Sequence, residues 1–314
     1  MSIRHVTLRQ LQVFEAVARH LSFSRAAGEL HLSQPGVSMQ IREIEQSAGL
    51  PLFERVGKKV FVTEAGRHLL ATARGVLGSL KDAEAALDAL KGLRGGLISI
   101  AVVSTARYFA PYLLARFRKL HPEVELRLAV DNREAVAVLL TDNAVDLAIM
   151  GRAPKTHDAV AEAFASHPLV IVAAPDHPLA ARRGIPVAAI ASEAFLVREP
   201  GSGTRSAMQQ FFDEHGVAPR VAMEMSSNET IKQAVMAGMG VSFISRHTVG
   251  FELQHRRLVL LDVRGLPVMR EWNVVHLAAK RLSPSAYAFK SYVLAHGRDI
   301  VHAYAGVEGA ETTI

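Results

Sequence analysis

The chain has 314 residues, of which 49% are hydrophobic and 21% charged, so its length and composition predict two or three folded domains rather than a disordered chain. It contains no cysteine, which excludes disulfides, zinc–thiolate sites, iron–sulfur clusters and thiol catalysis. Residues 1–94 hold 13 Lys and Arg against 9 Asp and Glu. This excess suits a polyanionic partner, although a solvated basic face would give the same count.

Three short helices are predicted at the N-terminus. Apolar residues recur at helical spacing from Leu8 to Ala18, Ser22 is a good N-cap for a second helix, and Ser33 caps a third helix that ends near Gly49. Only a few residues separate the second and third helices. This spacing is typical of a helix-turn-helix, in which the second helix lies in the major groove of DNA. A helical hairpin with a polar face is the alternative.

The third helix carries compact polar side chains that suit the reading of base edges. Gln can bond N6 and N7 of adenine together, and Ser can donate or accept, so we predict that Gln34 and Ser38 read bases. Pro35 and Met39 would add apolar contacts. The other predicted DNA-binding residues, most of them suited to phosphate contacts, are Ser22, Ser24, Arg25, Ser33, Arg42, Arg55, Lys58 and Lys59.

A hairpin and a long helix follow. Two β-prone stretches flank Gly57 and Lys58, which predicts a hairpin, or wing. The next helix is predicted over 64–93, and its apolar positions alternate in steps of four and three residues, as in a heptad seam. We expect this seam to pair two subunits, with packing on its own domain as the alternative. The predicted dimerisation residues are Leu69, Ala73, Val76, Leu80, Leu87 and Leu90.

After a glycine-rich joint at 92–96, strands and helices alternate, which predicts an α/β fold with mostly parallel strands. The predicted strands are 97–103, 124–130, 146–150, 169–174, 194–197, 221–225, 240–244 and 271–279. The predicted helices are 110–120, 133–140, 203–215, 229–239 and 284–296. The chain is thus divided into a DNA-binding domain at 1–63, a linker helix at 64–93 and a third domain at 94–314.

Polar residues stand at several strand ends of the third domain, where open α/β sheets bind ligands. In "VREPGSGTR", residues 197–205, a strand ends and two glycines precede a helix, and helix N-termini and backbone nests hold anions. Ser202 as an ordinary helix cap is the alternative. The predicted ligand-binding residues are Ser104, Thr105, Asn132, Arg133, Glu199, Ser202, Thr204, Arg205, Ser226 and Asn228, with Arg152 as a further candidate.

The stretch "TLRQLQVFEAVARHLSFSRAAGELHLSQPGVSMQIREIEQSAGLPLFER" and the following "VTEAG" resemble the N-terminal domain of the LysR-type transcriptional regulators over residues 7–66. Within that family, "FEAVARHLSFSRAA", "SQPGVSMQI" and "GKK" resemble the activators of Rubisco (Calvin-cycle) operons. Met39 stands where many members have Arg, so a guanine or phosphate contact from that position is not carried over.

The resemblance implies an all-α winged helix-turn-helix, a linker helix that pairs subunits and a two-lobed, periplasmic-binding-protein-like effector domain, often assembled as a tetramer. Lobe I would hold 94–164 and 268–300, and lobe II 165–267. The effector would be a phosphorylated metabolite or a reduced nicotinamide nucleotide, bound reversibly and without a resident cofactor. The output would be activation of carbon-fixation genes from a DNA operator, with RNA polymerase as a further candidate partner. A LysR-type regulator of another metabolic operon is the alternative.

Other functions are less well supported by the sequence. An enzyme with an appended DNA-binding domain is disfavoured because the chain has no G-x-S-x-G elbow and no recognisable acid–base pair. A solute-binding protein would need export, and no signal peptide is recognised. The histidines are dispersed, so no metal site is expected. With no apolar run of about 18 residues, we expect a cytoplasmic protein without a membrane partner.

Overall fold

The computed structural model describes residues 3–57, 59–90, 95–154 and 158–304. Within these ranges the chain forms two compact units. The N-terminal unit contains the residues up to Leu87 and the segment Asp142–Ala144, and the second unit contains the rest. The prediction for Lys58 lies outside the described residues, and so does the prediction for the side chain of Leu90.

The three predicted N-terminal helices are confirmed as α1 Leu8–His20, α2 Phe23–Glu29 and α3 Gln34–Ala48. Each begins at a side-chain cap: Thr7 forms a capping box, and the hydroxyls of Ser22 and Ser33 accept bonds from Arg25 N and Gly36 N. Gly49 ends α3 in the left-handed conformation, with φ 72°. Side-chain caps and a left-handed glycine, all visible in the local sequence, therefore set the boundaries of α3.

The wing and the long helix follow as predicted. Strands β1 Phe53–Val56 and β2 Lys59–Val62 form an antiparallel hairpin, and α4 runs over Glu64–Leu90. The apolar face of α4 is divided between two environments. Ala73 is fully buried in the core of the N-terminal unit and Leu69 packs against that core, so Ala73 is not available to a partner. The exposed members of the heptad seam are Val76, Leu80 and Leu87.

Gly66 is expected to be essential where α4 leaves the wing. A Cβ at this position would overlap the carbonyl oxygen of Leu52 and lie 2.7 Å from Cγ1 of Val62. We therefore expect Gly66→Ala to destabilise the N-terminal unit by about 1–3 kcal/mol. Gly75→Ala in the same helix meets no atom within 4 Å and should stabilise it by about 0.5–1 kcal/mol. Urea unfolding of both variants checks the pair, and equal effects would contradict the close approach.

The second unit contains a seven-stranded sheet and a separate parallel pair, β7 with β8. The strands are β3 Gly96–Val103, β4 Val124–Asp131, β5 Leu147–Met150, β6 Ala159–Ala173, β7 Phe195–Arg198, β8 Val221–Met225, β9 Ser242–Ser245, β10 Val259–Leu260 and β11 Val268–Leu277. The helices are α5 Ala110–Leu120, α6 Arg133–Thr141, α7 Val187–Ala191, α8 Gly203–Glu214, α9 Asn228–Met236, α10 Gly250–Gln254 and α11 Pro284–Tyr304.

The prediction of mostly parallel strands is wrong. In the large sheet, β3 pairs in parallel with β4 and β5, whereas β6 pairs antiparallel with β9, β10 and β11, and β11 also pairs antiparallel with β5. The cause is β6, which begins ten residues before the predicted strand at 169. Its first part, "AVAEAFASHP", is rich in Ala and ends at Pro168, so it lacks the β-branched pattern that marks a strand.

Three of the buried apolar clusters lie in the second unit and give it two lobes. One cluster draws its residues from 98–165 and 272–301, and the other two draw theirs from 169–263. The long strands β6 and β11 pair along ten residues and contribute to both lobes. The side chains at 166–168 in β6 and at 269–271 in β11 therefore lie where the lobes meet.

Candidate DNA-reading helix and anion cavity

The first turns of α3 present the predicted base-reading side chains to solvent. Gln34 is exposed and Ser38 half-buried, and Gln34 Nε2 donates to Ser38 Oγ at 2.9 Å. Pro35 lies in the first turn, where no backbone N–H is needed. The opposite face of α3 buries Val37 and Ile41 in the core. The helix is thus fixed by its apolar face and leaves a compact polar face free.

Most of the predicted phosphate-contacting residues are exposed on the N-terminal unit. Ser24, Arg25, Arg42 and Lys59 are exposed. The Arg55 guanidinium lies 5.0 Å from the ring centroid of Phe23, a cation–π contact that connects the wing to α2. Met39 is 59% exposed, which allows an apolar contact to a base edge.

The second unit contains a cavity of about 710 Å³, within the range of small-molecule sites. Its lining residues come from the end of β3, the segment after β5 and the starts of α6 and α8. Further lining residues come from the second half of β6 and the start of β11. The polar lining residues are Ser104, Thr105, Arg133, Glu134, Thr141, Arg152, His167, Ser202, Thr204, Ser206, Gln210 and Arg270. The predicted residues Ser104, Thr105, Arg133, Ser202, Thr204 and the further candidate Arg152 therefore lie together.

The cavity closes at one edge through a backbone contact. The N–H of Glu134 at the start of α6 donates to the carbonyl of Gly201 at 3.3 Å. Gly201 has φ 84°, and a Cβ there would lie 2.5 Å from a carboxylate oxygen of Glu134. Glycine is required for this turn and this approach. The turn in "PGSG" therefore brings the start of α8 beside the start of α6.

Three guanidinium groups give the cavity a positive charge. Arg133 and Arg152 have no ion pair among the described residues, and Arg270 donates to Gln210 Oε1 at 3.0 Å. Burial lowers the pKa of the Arg270 guanidinium, and the charges of Arg152 and Arg133 lower it further. Glu134 is the acidic residue among the described lining residues. The free cavity thus holds cations that repel each other, and an anion would relieve that repulsion.

A buried ion cluster lies beside the cavity at the ends of β3 and β7. Arg198 is 3% exposed, and its guanidinium forms a bidentate ion pair with the Glu199 carboxylate, with hydrogen bonds of 2.7 and 2.8 Å. Its Nη1 donates to Asn228 Oδ1 at 2.6 Å and to Ser104 Oγ at 3.0 Å. Glu199 and Asn228 are predicted to bind ligand, but they do not line the cavity. The Glu199 carboxylate and Asn228 Oδ1 accept from Arg198, and Asn228 Nδ2 donates to the carbonyl of Ser104 at 3.4 Å.

Three other predicted ligand residues also lie outside the cavity lining. Arg205 turns away from it, because its guanidinium donates to the carbonyl of Arg198 at 2.8 Å and pairs with Glu224. Asn132 caps α6 by accepting from Ala135 N at 3.0 Å. Ser226 is exposed ahead of α9. Five of the ten residues predicted at strand ends line the cavity, and the others cap helices, form ion pairs or hydrogen bonds, or lie exposed outside it.

The sequence reasoning missed His167, Gln210 and Arg270. His167 and Arg270 are partners in the antiparallel register of β6 and β11, more than 100 residues apart in the chain. Gln210 is on α8, two turns after its start. A reading based on strand ends has no signal for such positions. The signal in the sequence is limited to a polar residue within each strand, His167 in β6 and Arg270 in β11.

The described residues contain no group of three or more His, Asp or Glu arranged to hold a metal ion. No helix within the described ranges is long and apolar enough to span a membrane.

Comparisons with known proteins cover both units. Residues 8–67 match the family described as "Bacterial regulatory helix-turn-helix protein, lysR family", and residues 91–298 match the "LysR substrate binding domain". The "RuBisCO operon transcriptional regulator" of Allochromatium vinosum is 53% identical over 290 residues, covering 92% of this chain and 96% of the relative.

Two solved structures are also similar. The Synechocystis PCC6803 CcmR regulatory domain in complex with 2-PG is 42% identical, with a TM-score of 0.62, over 64% of this chain and 96% of that chain. Full-length CbnR complexed with its target DNA has a TM-score of 0.63 at 21% identity, over 91% of this chain and 98% of that chain, which shows the fold.

A helix that presents compact polar groups and a separate lobed unit with a charged cavity define a ligand-responsive DNA-binding protein. The chain belongs to the LysR family of bacterial transcriptional regulators. The predicted family, its two-domain fold and the resemblance to Rubisco-operon regulators are confirmed. The relatives are regulators, which also confirms that the protein is not an enzyme.

Proposed function

We propose that this protein activates carbon-fixation genes, that α3 reads the operator, and that a small phosphorylated metabolite in the cavity controls the response. The observation that carries the effector proposal is the cluster of Arg133, Arg152 and Arg270, since guanidinium groups bind phosphate and carboxylate oxygens well. The similar CcmR domain holds 2-PG, and the relative from Allochromatium vinosum is a Rubisco-operon regulator. A reduced nicotinamide nucleotide is the second candidate effector.

The effector acts by binding one arrangement of the lobes or subunits more tightly than another. A ligand shifts a conformational equilibrium only by its differential affinity, so the coupling to DNA should be about 1–3 kcal/mol. Ser104 would link the cavity to the end of β7, because it lines the cavity and its hydroxyl also accepts a hydrogen bond from buried Arg198. Ligand contact at Ser104 can therefore bias the position of β7 relative to β3.

The exposed apolar residues of α4 support a proposal of self-association on DNA. Val76, Leu80 and Leu87 are exposed apolar residues on α4 at heptad-compatible spacing, which suits a paired helix. A dimer would place two copies of α3 in successive major grooves about 34–36 Å apart, on a pseudo-palindromic operator. We propose a dimer or a tetramer that acts in the cytoplasm, with RNA polymerase as its partner in activation.

The effector proposal is tested with a ligand panel. Thermal unfolding of the full chain is measured with 2-PG, phosphoenolpyruvate, phosphorylated sugars and oxidised and reduced nicotinamide nucleotides, followed by footprinting with each stabilising ligand. We expect a phosphorylated metabolite to raise the unfolding temperature, because a ligand that binds the folded state stabilises it. Stabilisation by none of these anions would contradict the proposed cavity function.

Gln34→Ala tests base reading by α3. We expect specific operator affinity to fall by about 1–3 kcal/mol, with non-specific DNA binding unchanged, because a bidentate base contact is lost. Gln46→Ala is the matched control, since Gln46 is exposed near the other end of α3. Fluorescence anisotropy with operator and random duplexes measures both. Equal loss on the two duplexes would show that Gln34 does not read bases.

A further inference from the structure

His167 lines the cavity, and its neighbours hold its ring in one orientation. It lies opposite Arg270 in the register of β6 and β11. Its ring stacks on Trp272 with centroids 3.8 Å apart and planes 15° from parallel. A Cβ added to Gly151 would lie 3.3 Å from His167 Nδ1, so the backbone after β5 closes over one edge of the ring. The imidazole is thus positioned by rigid neighbours.

The ring nitrogens of His167 have no hydrogen-bond partner among the described residues, although the residue is only 6% exposed and lines the cavity. Buried polar atoms in native proteins are nearly always bonded, so an unpaired imidazole requires an explanation. Stacking on Trp272 covers one face of the ring and leaves the nitrogens at its edge without a hydrogen-bond partner among the described residues. A ligand in the cavity is the available partner for that edge.

The neighbouring His247 has a different position. It accepts a bond from the indole Nε1 of Trp272 at 3.1 Å and does not line the cavity. Burial lowers its pKa to about 4, and the charges of His302 and Arg246 add to that effect. His247 therefore supports Trp272 as a neutral imidazole, and His167 is the histidine that faces the ligand space.

The charges around His167 keep it neutral in the free protein. Arg270 faces it from β11, Arg152 follows β5, Arg133 and Glu134 begin α6, and His247 lies behind the stack. Burial is the main cause that lowers the pKa of His167 well below its ordinary value, and the charge of Arg270 lowers it further. An anion between these groups reverses the local charge and favours the imidazolium.

From this geometry we infer that His167 is a ligand-binding residue of the effector cavity, whose imidazole takes up one proton from solvent and donates a hydrogen bond to an anionic oxygen of the ligand. The inference rests on the proposed effector site and adds a residue and a proton to it. Because the bound imidazole holds its proton to higher pH than the free one, ligand affinity rises as pH falls through the bound value. Binding also places a cation on the face of Trp272.

Calorimetry of wild-type protein with 2-PG tests the proton directly and needs no variant. Titrations at pH 8 in buffers of different ionisation enthalpy report the protons taken up, and at this pH the phosphate, with a second pKa of about 6, is already ionised. We expect net uptake that approaches one proton per site as the pH is lowered towards 7. Binding without proton uptake across this range would overturn the inference.

Two variants then assign the effect to His167. His167→Phe keeps the stack on Trp272 and removes both nitrogens, so affinity for 2-PG should fall by about 10- to 100-fold. His167→Gln keeps a donor but cannot titrate, so its affinity should lose the wild-type rise between pH 8 and pH 6.5. Titration of the phosphate affects both proteins alike and cancels in the comparison. His255→Gln is the matched control, because His255 is exposed and outside the cavity lining.

Trp272 gives an independent readout, since it is the single tryptophan of the chain. Its emission should change when 2-PG binds wild type, and the change should be lost in His167→Gln. Wild-type affinity, pH profile and emission change in both variants would overturn the inference and leave the effector site intact, provided that Arg270→Met still loses binding. If wild type binds neither 2-PG nor inorganic phosphate, the effector site and the role of His167 both fail.

Discussion

Arg270→Met is expected to weaken 2-PG binding by about 10- to 100-fold while leaving the free protein as stable as wild type. The affinity loss follows from the removal of a charged donor to the anion, worth about 1.5–3 kcal/mol. The stability is kept because the Arg270 charge is disfavoured in the folded protein: burial and the charges of Arg152 and Arg133 lower its pKa. Affinity and stability should therefore change independently.

Calorimetry and thermal unfolding of Arg270→Met measure the two quantities. Arg127→Met is the matched control, because Arg127 is exposed on β4 of the same unit and pairs with Glu125. It should retain wild-type affinity. Wild-type affinity in Arg270→Met would show that the anion binds elsewhere, and a large loss of stability would show that Arg270 has a structural role.

Arg198→Met should have the largest effect on folding, a loss of about 3–5 kcal/mol in the free energy of unfolding of the second unit. The guanidinium satisfies the Glu199 carboxylate, Asn228 Oδ1 and Ser104 Oγ together. Methionine keeps an unbranched apolar side chain but leaves these acceptors without their donor. The carboxylate of Glu199 carries most of the penalty because its side chain is 18% exposed.

Arg205→Met is the comparison variant for Arg198→Met. Arg205 pairs with Glu224, and both side chains are about a third or more exposed, so its ion pair should contribute about 0–1 kcal/mol. Arg198→Met/Glu199→Gln should recover part of the stability by removing the unpaired charge. Urea unfolding of the full chain measures all three variants. A loss below about 1 kcal/mol in Arg198→Met would contradict the importance of the cluster.

Elements defined by local signals could be predicted from the sequence. The hydroxyls of Ser22 and Ser33 and the left-handed Gly49 mark the ends of α2 and α3, and the structure places them there. Strand β8 and helix α5 also have the predicted bounds. These features depend on residues a few positions apart, which a sequence displays directly.

Features that depend on distant pairing could not be predicted. The first ten residues of β6 are recognisable as strand only through their pairing with β11, and this pairing brings His167 beside Arg270. In the same way, Arg205 follows Thr204 in sequence, but the helix turns successive side chains about 100° apart, so Thr204 faces the cavity and Arg205 faces Glu224. The position of each residue within its element decides which polar side chains face the cavity.

The heptad pattern of α4 also needed the fold to be interpreted. Leu69 and Ala73 have the same spacing as the later apolar residues, but the helices of the N-terminal unit cover them. Val76, Leu80 and Leu87 are exposed. One periodic pattern therefore includes buried and exposed residues, and periodicity alone cannot tell an intramolecular core from an exposed apolar surface.

Operator binding with and without 2-PG tests the central claim, that an anion in the cavity lined by Arg133, Arg152 and Arg270 controls DNA binding. Wild type and Arg270→Met are compared by footprinting and anisotropy on the operator. We predict equal affinity of the two proteins for the operator without ligand, and a change in footprint or affinity on adding 2-PG that only wild type shows. The same response in Arg270→Met, or no response in wild type, would contradict the claim.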